Sequence, residues 1–265
     1  MKLILSYCCF MLALAGVAKA QAVSRVIYDF YHLRDTTNKA VMYREETILY
    51  AGEGASLYTS YTKMKQDSAN ARAFAEAQRT GNMHINLGTL LPYNEEQIYF
   101  LQAENKVTVL RPFNLNNYVI PGERPAISWT ILPDTATILG YLCQQATGSW
   151  KGRQYTAWFT TDLPYNAGPW KLQGLPGLIL KAVDSRSEVM FLCKSISLQT
   201  GDHPSLLVPG NAIVTTMKDF QRMVKAYQER QMAQAADSDF KVAVTSAPAG
   251  KNRKIVFNNP IEIEQ

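Results

Sequence analysis

The sequence predicts a mainly β chain with two helices: a curved antiparallel sheet or partly open barrel, with the helices packed on it. Three observations carry this. Many short Tyr-, Thr-, Val- and Ile-rich stretches are separated by turn residues. Only two stretches have helical periodicity. The helical crossovers that a parallel α/β sheet requires are missing between the strands.

The first strand is expected over Arg25–Leu33, which alternates around Ile27, Phe30 and Tyr31 and stops at the polar run Arg34-Asp35-Thr36-Thr37-Asn38. Val41–Tyr50 and Ala55–Tyr61 follow, split by Gly52-Glu53-Gly54. An Ala-rich helix is predicted over Ser68–Gln78, with Phe74 its one large apolar anchor and Gly81-Asn82 its end. Ile98–Gln102 and Val107–Leu110 flank Ala103-Glu104-Asn105-Lys106, a compact hairpin signal. Further strands are expected at Tyr118–Ile120, Ile127–Ile131, Thr137–Gln145, Tyr155–Thr161, Leu178–Asp184 and Val189–Leu198. The second helix spans Met217–Ala236: Met217, Phe220, Val224 and Tyr227 share a face meant for the sheet, and Thr216 with Asp219 forms a capping pair.

At the N-terminus Met1-Lys2 precedes an apolar run from Leu3 to Val17, and Ala18-Lys19-Ala20 presents small residues at the two positions a signal peptidase reads. The run is shorter than the ~20 residues a membrane span needs, so residues 1–20 are expected to be a cleaved secretory signal. Cys8 and Cys9 fall inside its apolar run rather than at its end, which argues against lipid attachment. Residues 21–236 then form a single β-rich domain. Residues 237–265 read as a polar C-terminal tail, through Asp237-Ser238-Asp239 and Lys251-Asn252-Arg253-Lys254 to the apolar patch Ile255-Val256-Phe257.

The composition is that of a globular protein, with 47% apolar and 18% charged residues, which excludes disordered and collagen-like chains. The net charge of +5 is small and partly carried by Lys2 and Lys19 of the leader. A nucleic-acid partner would demand a stronger and more clustered excess. Past the leader two cysteines remain, Cys143 and Cys193, both in strand-like stretches. In an oxidising compartment they are either a disulfide, worth about 3–4 kcal/mol in the chain-entropy model, or two buried thiols. Neither has a His or second Cys at metal-ligand spacing.

The least ordinary segment runs from Gly168-Pro169-Trp170-Lys171 through Gly174-Leu175-Pro176-Gly177-Leu178-Ile179. Pro176-Gly177 suits the two central positions of a type II turn, with positive φ at Gly177. Gly168 and Gly174 permit close backbone approach. The segment holds no nucleophile, carboxylate or imidazole; Lys171 is its one ionisable side chain. With Trp129, the run Gly140-Tyr141-Leu142-Cys143-Gln144-Gln145-Ala146, Tyr155 to Thr160, Leu163-Pro164 and the closing Asn259-Pro260-Ile261-Glu262, it resembles the GLPGLI family of exported Bacteroidetes proteins. The resemblance implies an exported β-rich protein without assigned activity, and it supplies no catalytic residues.

Few residue patterns in the chain point to chemistry. The chain has no nucleophile elbow, zinc helix or phosphate-binding glycine loop. His32, His84 and His203 are scattered, and Asp202-His203 reads as a solvated loop pair. Glu45-Glu46 and Glu95-Glu96 are adjacent in sequence, so their side chains diverge on an extended strand and read as surface charge. No cofactor is expected. All four tryptophans fall between residues 129 and 170. They read first as sheet core, and the rim of their cluster, Trp150, Lys151, Trp158, Trp170 and Lys171, is the candidate binding surface. The expectation is a non-enzymatic protein of the periplasm or outer-membrane periphery that binds an envelope protein or an apolar ligand. The alternative is an envelope hydrolase with an unrecognised site.

The Ala18-Lys19-Ala20 motif predicts that protein exported by its native host begins at Gln21. Mass spectrometry of the mature N-terminus checks this, and an exported form that keeps Met1 contradicts it.

Overall fold

A computed structural model describes residues 23–81, 84–85, 87–199, 203–237 and 256–263. The leader, Asn82, Asp202 and residues 238–255 lie outside the described residues. Among the described residues the architecture is one twelve-stranded sheet, not closed, with two helices. In chain order the elements are β1 (Val23–His32), β2 (Tyr43–Gly52), β3 (Ala55–Ser60), α1 (Tyr61–Thr80), β4 (Gln97–Leu101), β5 (Lys106–Phe113), β6 (Asn116–Glu123) and β7 (Thr130–Ile138). They continue with β8 (Tyr141–Trp150), β9 (Arg153–Thr160), β10 (Leu178–Asp184), β11 (Val189–Gln199), β12 (Ile213–Val214) and α2 (Met217–Asp237). The spatial order is β12-β6-β5-β4-β3-β2-β1-β11-β10-β9-β8-β7. Each pairing is antiparallel except β12 on β6. Two meanders, β1–β6 and β7–β11, are thus joined where β11 returns beside β1.

Period-two alternation gives the sheet two buried faces. Val26, Tyr28 and Phe30 of β1, Leu49 of β2 and Ile98 and Phe100 of β4 join β8–β11 in one core. Ile48 and Tyr50 of β2, Leu57 of β3 and Tyr99 of β4 form the other, closed by Tyr61 and Met64 of α1 and by Leu206, Val208 and Ala212.

Helix α1 is longer at its start than the sequence suggests and is held differently. Ser60 caps it by accepting the Lys63 N–H at 2.9 Å, and Gly81 ends it at φ 69°. Its anchor is the first turn, where Thr62 Oγ1 accepts the Glu46 N–H at 3.0 Å. Phe74, the expected anchor, is 50% exposed. Helix α2 agrees with expectation: Thr216 accepts the Asp219 N–H at 3.1 Å and donates to its carboxylate at 2.7 Å. Phe220 and Tyr227 pack edge-on against Phe113 of β5, and Phe220 against Tyr118 of β6.

The expected strand Thr137–Gln145 is two strands. A turn at Leu139 (φ 51°) and Gly140 (φ 86°) cuts it, and two consecutive positive φ angles are those of a tight hairpin turn. Leucine rarely accepts that conformation, so only Gly140 marked the turn in sequence. Cys143 on β8 is buried, Cys193 on β11 is half-buried, and both thiols are free. Burial pushes the Cys193 thiol up to about 12 and also raises that of Cys143.

Between β9 and β10 the chain makes a loop whose ends are tied together, Leu178 N–H to Leu163 O at 3.1 Å and Ile179 N–H to Ala167 O at 3.1 Å. Leu172 and Leu175 are fully buried, each worth about 1.5–3 kcal/mol relative to exposure, so the loop fills the first core as a packed plug. Its closing turn is tighter than the expected type II turn. Gly177 N–H donates to Leu175 O at 2.8 Å, a three-residue turn about Pro176. Gly177 does hold positive φ, 152°. The stronger demand for glycine is contact: a Cβ there would lie 2.1 Å from Thr160 O. Gly168 is under the same constraint, its Cβ falling 2.3 Å from Leu172 O.

The described C-terminal residues are not a free tail. Asn258 and Asn259 N–H donate to Arg34 O at 3.1 and 3.2 Å, Ile263 N–H donates to Lys151 O at 2.9 Å, and Asn259 is 5% exposed. Asn259 is held by Arg153, whose side chain is 1% exposed. The guanidinium donates to Asp184 at 2.7 Å, Glu188 at 3.2 Å, Asn259 Oδ1 at 2.6 Å, Pro260 O at 2.7 Å and Ile261 O at 3.0 Å. The end of the expected polar tail is thus docked, on partners more than 70 positions away in sequence.

Gly177→Val should destabilise the domain by roughly 1–3 kcal/mol or more, because overpacking against backbone adds to strain at positive φ. An unchanged denaturant midpoint would refute this account of the turn.

His32 yields a prediction for pH. It is buried and its Nε2–H donates to Asn259 O at 2.7 Å. Burial first, with the Arg34 and Arg153 charges adding, lowers its pKa to about 4. Between about 6.5 and 4 the unfolded chain takes a proton that the folded chain refuses. The His32 contribution is therefore complete above that window and is lost as pH falls through it. Glu45, raised by burial, gives a slope of opposite sign, so the comparison is between parent and His32→Gln. The parent should lose more stability than the variant from pH 7 to 4, and parallel midpoints would contradict it.

Candidate functional site

Strand alternation assembles a cavity on the first face. β1 sends Phe30 and His32 to that face, β2 sends Glu45 and Thr47, and β3 sends Tyr58 and Ser60. β4 contributes Ile98 and β11 contributes Phe191. The loop after β9 adds Trp170, and the C-terminal segment adds Phe257 and Ile261. Thr59 of β3, Arg34, just past β1, and Asn94 and Glu96, just before β4, complete the lining of a volume of about 160 Å³.

One wall is a stack of rings. Phe30 lies on Phe191 at 4.8 Å between centroids and 15° between planes, and Trp170 lies on the same Phe191 at 6.4 Å and 12°. Trp170 holds φ 54°, an outlier for a bulky residue. The turn closed by Leu172 N–H on Pro169 O at 3.0 Å places it there.

The opposite side is polar. Glu45 is 2% exposed. Its two oxygens accept from Tyr43 O–H at 2.7 Å and from the Asn94 N–H at 3.1 Å. Burial is the largest influence on it and moves its carboxyl above the ordinary carboxylate range. Glu96 is paired with Arg111. The Arg34 guanidinium carbon lies 3.3 Å over the Tyr43 ring and 5.8 Å from that of Phe257.

Of the five expected rim residues, Trp170 alone lines this cavity. Trp150 and Lys151 sit at the β8–β9 turn and line a separate open groove with Ile263. Trp158 is half-buried on β9, opposite Gln145 and Lys181. Lys171 is paired with Glu262. All four tryptophans pack half-buried against the first core, as expected of a sheet with aromatic packing, and Trp129 Nε1–H donates to Gln173 O at 2.9 Å.

Glu45 was missed. Adjacent glutamates do diverge on a strand, and Glu46 is a surface residue paired with Lys65 and Lys194. The other member of such a pair then points inward. Its signal was parity: Glu45 shares its face with Leu49 and Ala51, both in the core. Among the described residues no group of three His, Cys, Asp or Glu is placed to hold a metal ion, and no helix is long and apolar enough to cross a membrane. His203 Nδ1 lies 2.9 Å from Pro204 O.

Among solved structures the chain is similar to one described as "Structure of PNGF-II in C2 space group". The identity is 17%, the TM-score is 0.55, and the match covers 77% of this chain and 33% of that one. A second structure, "Structure of PNGF-II in P21 space group", matches at 17% identity and TM-score 0.52 over the same shares. This chain therefore spans about a third of the length of those proteins, and the likeness concerns the fold alone. No curated protein matches the chain. Residues 149–181, from the end of β8 through β9 and the plug loop into β10, match a family model described as "Protein of unknown function (Porph_ging)". The matched residues include the segment that plugs the sheet.

Proposed function

We propose that this is an exported, non-catalytic binding protein of the cell envelope, whose seat for a partner or ligand is the cavity beside Trp170. The observation that carries this reading is an aromatic wall of Phe30, Phe191 and Trp170 around a volume of about 160 Å³. A cavity of roughly 150 Å³ holds one benzene-sized group, so the seat suits a single ring or short side chain presented by a partner, or a small apolar ligand. The groups that could act as bases are engaged. His32 is bonded to Asn259 O at 2.7 Å, and Glu45 accepts hydrogen bonds on both oxygens. Strained backbone at Trp170 fits a residue positioned for contact.

The signal-like leader, with Ala18-Lys19-Ala20 at its end, supports the export this reading assumes, to the periplasm or the outer-membrane periphery. One observation favours the alternative, an envelope hydrolase: a buried carboxyl with a raised pKa stands in a cleft with a second carboxylate, Glu96.

Crosslinking in native envelopes tests the proposal, with the parent protein beside Trp170→Ala. A discrete crosslinked species should form with the parent and decline about tenfold or more with the variant, as for an aromatic anchor worth ~1.4 kcal/mol or more. Trp170 is half-buried, so the variant should fold. A hydrolase screen with and without chelator should give no turnover. Robust turnover that tracks the protein through purification would overturn the reading.

A further inference from the structure

One cation lining the cavity lacks an ion-pair partner. Arg34 forms no ion pair among the described residues, and its Nε–H is buried without a hydrogen-bond partner. The nearby carboxylates have other partners: Glu45 accepts from Tyr43 O–H and the Asn94 N–H, Glu96 pairs with Arg111, and Asp184 and Glu188 pair with Arg153; the Arg34 charge acts on Glu45 without forming an ion pair with it. A buried donor on a charged group is costly to leave unpaired.

The guanidinium is nevertheless held in place. Its carbon lies 3.3 Å over the Tyr43 ring and 5.8 Å from the Phe257 ring, and the Arg34 carbonyl accepts the Asn258 and Asn259 N–H groups at 3.1 and 3.2 Å. A planar fork fixed between rings is preorganised for a carboxylate, which it grips through two parallel hydrogen bonds.

Resting on the reading of the cavity as the binding seat, we infer that its occupant is a small organic carboxylate, its carboxylate on Arg34 and its apolar body against Phe30, Phe191 and Trp170. That chemistry is shared by a free aryl or branched-alkyl acid and by the C-terminal residue of a polypeptide. The volume of about 160 Å³ accommodates one such residue. His32 does not compete for the anion, because burial keeps its ring neutral at neutral pH. The same burial moves Glu45 toward its uncharged form, which weakens its repulsion of an anion.

The test uses the unaltered mature protein and three matched probes, 3-phenylpropionate, 3-phenylpropionamide and 3-phenylpropylamine, titrated by calorimetry. The acid should bind about tenfold more tightly than the amide, the difference expected of one charge-assisted pair. Arg34→Gln should abolish that preference. Amide or amine binding as tightly as the acid would overturn the carboxylate assignment and leave the cavity reading standing. Binding of none of the three would defeat both. The acid–amide comparison needs no variant, so it decides even if Arg34→Gln fails to fold. Peptides ending in Phe, with free and amidated C-termini, identify the source: a free C-terminus that outcompetes the acid assigns a polypeptide, and one that does not assigns the free acid.

Discussion

The structure turns on one buried cation. Arg153 offers five N–H donors and finds acceptors on two stretches of chain far apart in sequence: Asp184 at the end of β10 with Glu188 just before β11, and the segment Asn259-Pro260-Ile261, through the Asn259 side chain and the two following carbonyls. Leaving any of these charges unpaired inside the protein would cost several kcal/mol. The network also extends past the guanidinium. Asp184 accepts the Glu188 and Val189 N–H groups at 2.7 and 3.0 Å, fixing the tight connection into β11. Asn259 donates to Leu33 O at 2.7 Å and to Glu188 at 3.0 Å. A single group thus clamps the end of β1, the β10–β11 turn and the C-terminal segment to one another. Such a pair is weak evidence for stability, since apolar replacements can do as well. What it supplies here is registration of distant segments.

The cavity depends on that registration. Phe257 and Ile261 reach it only because Asn259 and Pro260 between them are seated on Arg153. Arg34 points into it from a chain whose carbonyl is held by the same segment. On the other side Lys171 pairs with Glu262, so the plug loop that carries Trp170 is tied to the C-terminal segment as well. The signature segment and the closing Asn259-Pro260-Ile261-Glu262 are therefore one assembly in space, and the aromatic seat lies where they meet β1 and β2.

The plug loop shows how a sequence motif can be structural in most positions and still lend one side chain to a cavity wall. Leu172, Leu175, Leu178 and Ile179 are buried. Gly168 and Gly177 are glycines because carbonyl oxygens occupy the space a side chain would need. Trp170 differs, being half-buried, at positive φ, and part of the cavity wall. The stack Phe30–Phe191–Trp170 joins it to β1 and β11, so a contact at the cavity meets a wall that belongs to the central strands.

By itself the sequence determined the class of fold, most strands, the second helix with its Thr216 cap, and the plug as a rigid corner, because each rests on local chemistry: alternation, capping and the dihedral limits of Pro and Gly. It could not show that Glu45 is buried while Glu46 is not, since the pair is symmetric until neighbouring strands define an inside. Nor could it give Asn259 a role, because its partners Leu33 and Arg153 lie 226 and 106 positions away. Phe74 and the 137–145 strand were misjudged for the same reason, local pattern standing in for packing. Which polar groups are paired is decided only when distant strands meet, and that Arg34 at the cavity has no ion pair among the described residues is visible only in the tertiary structure.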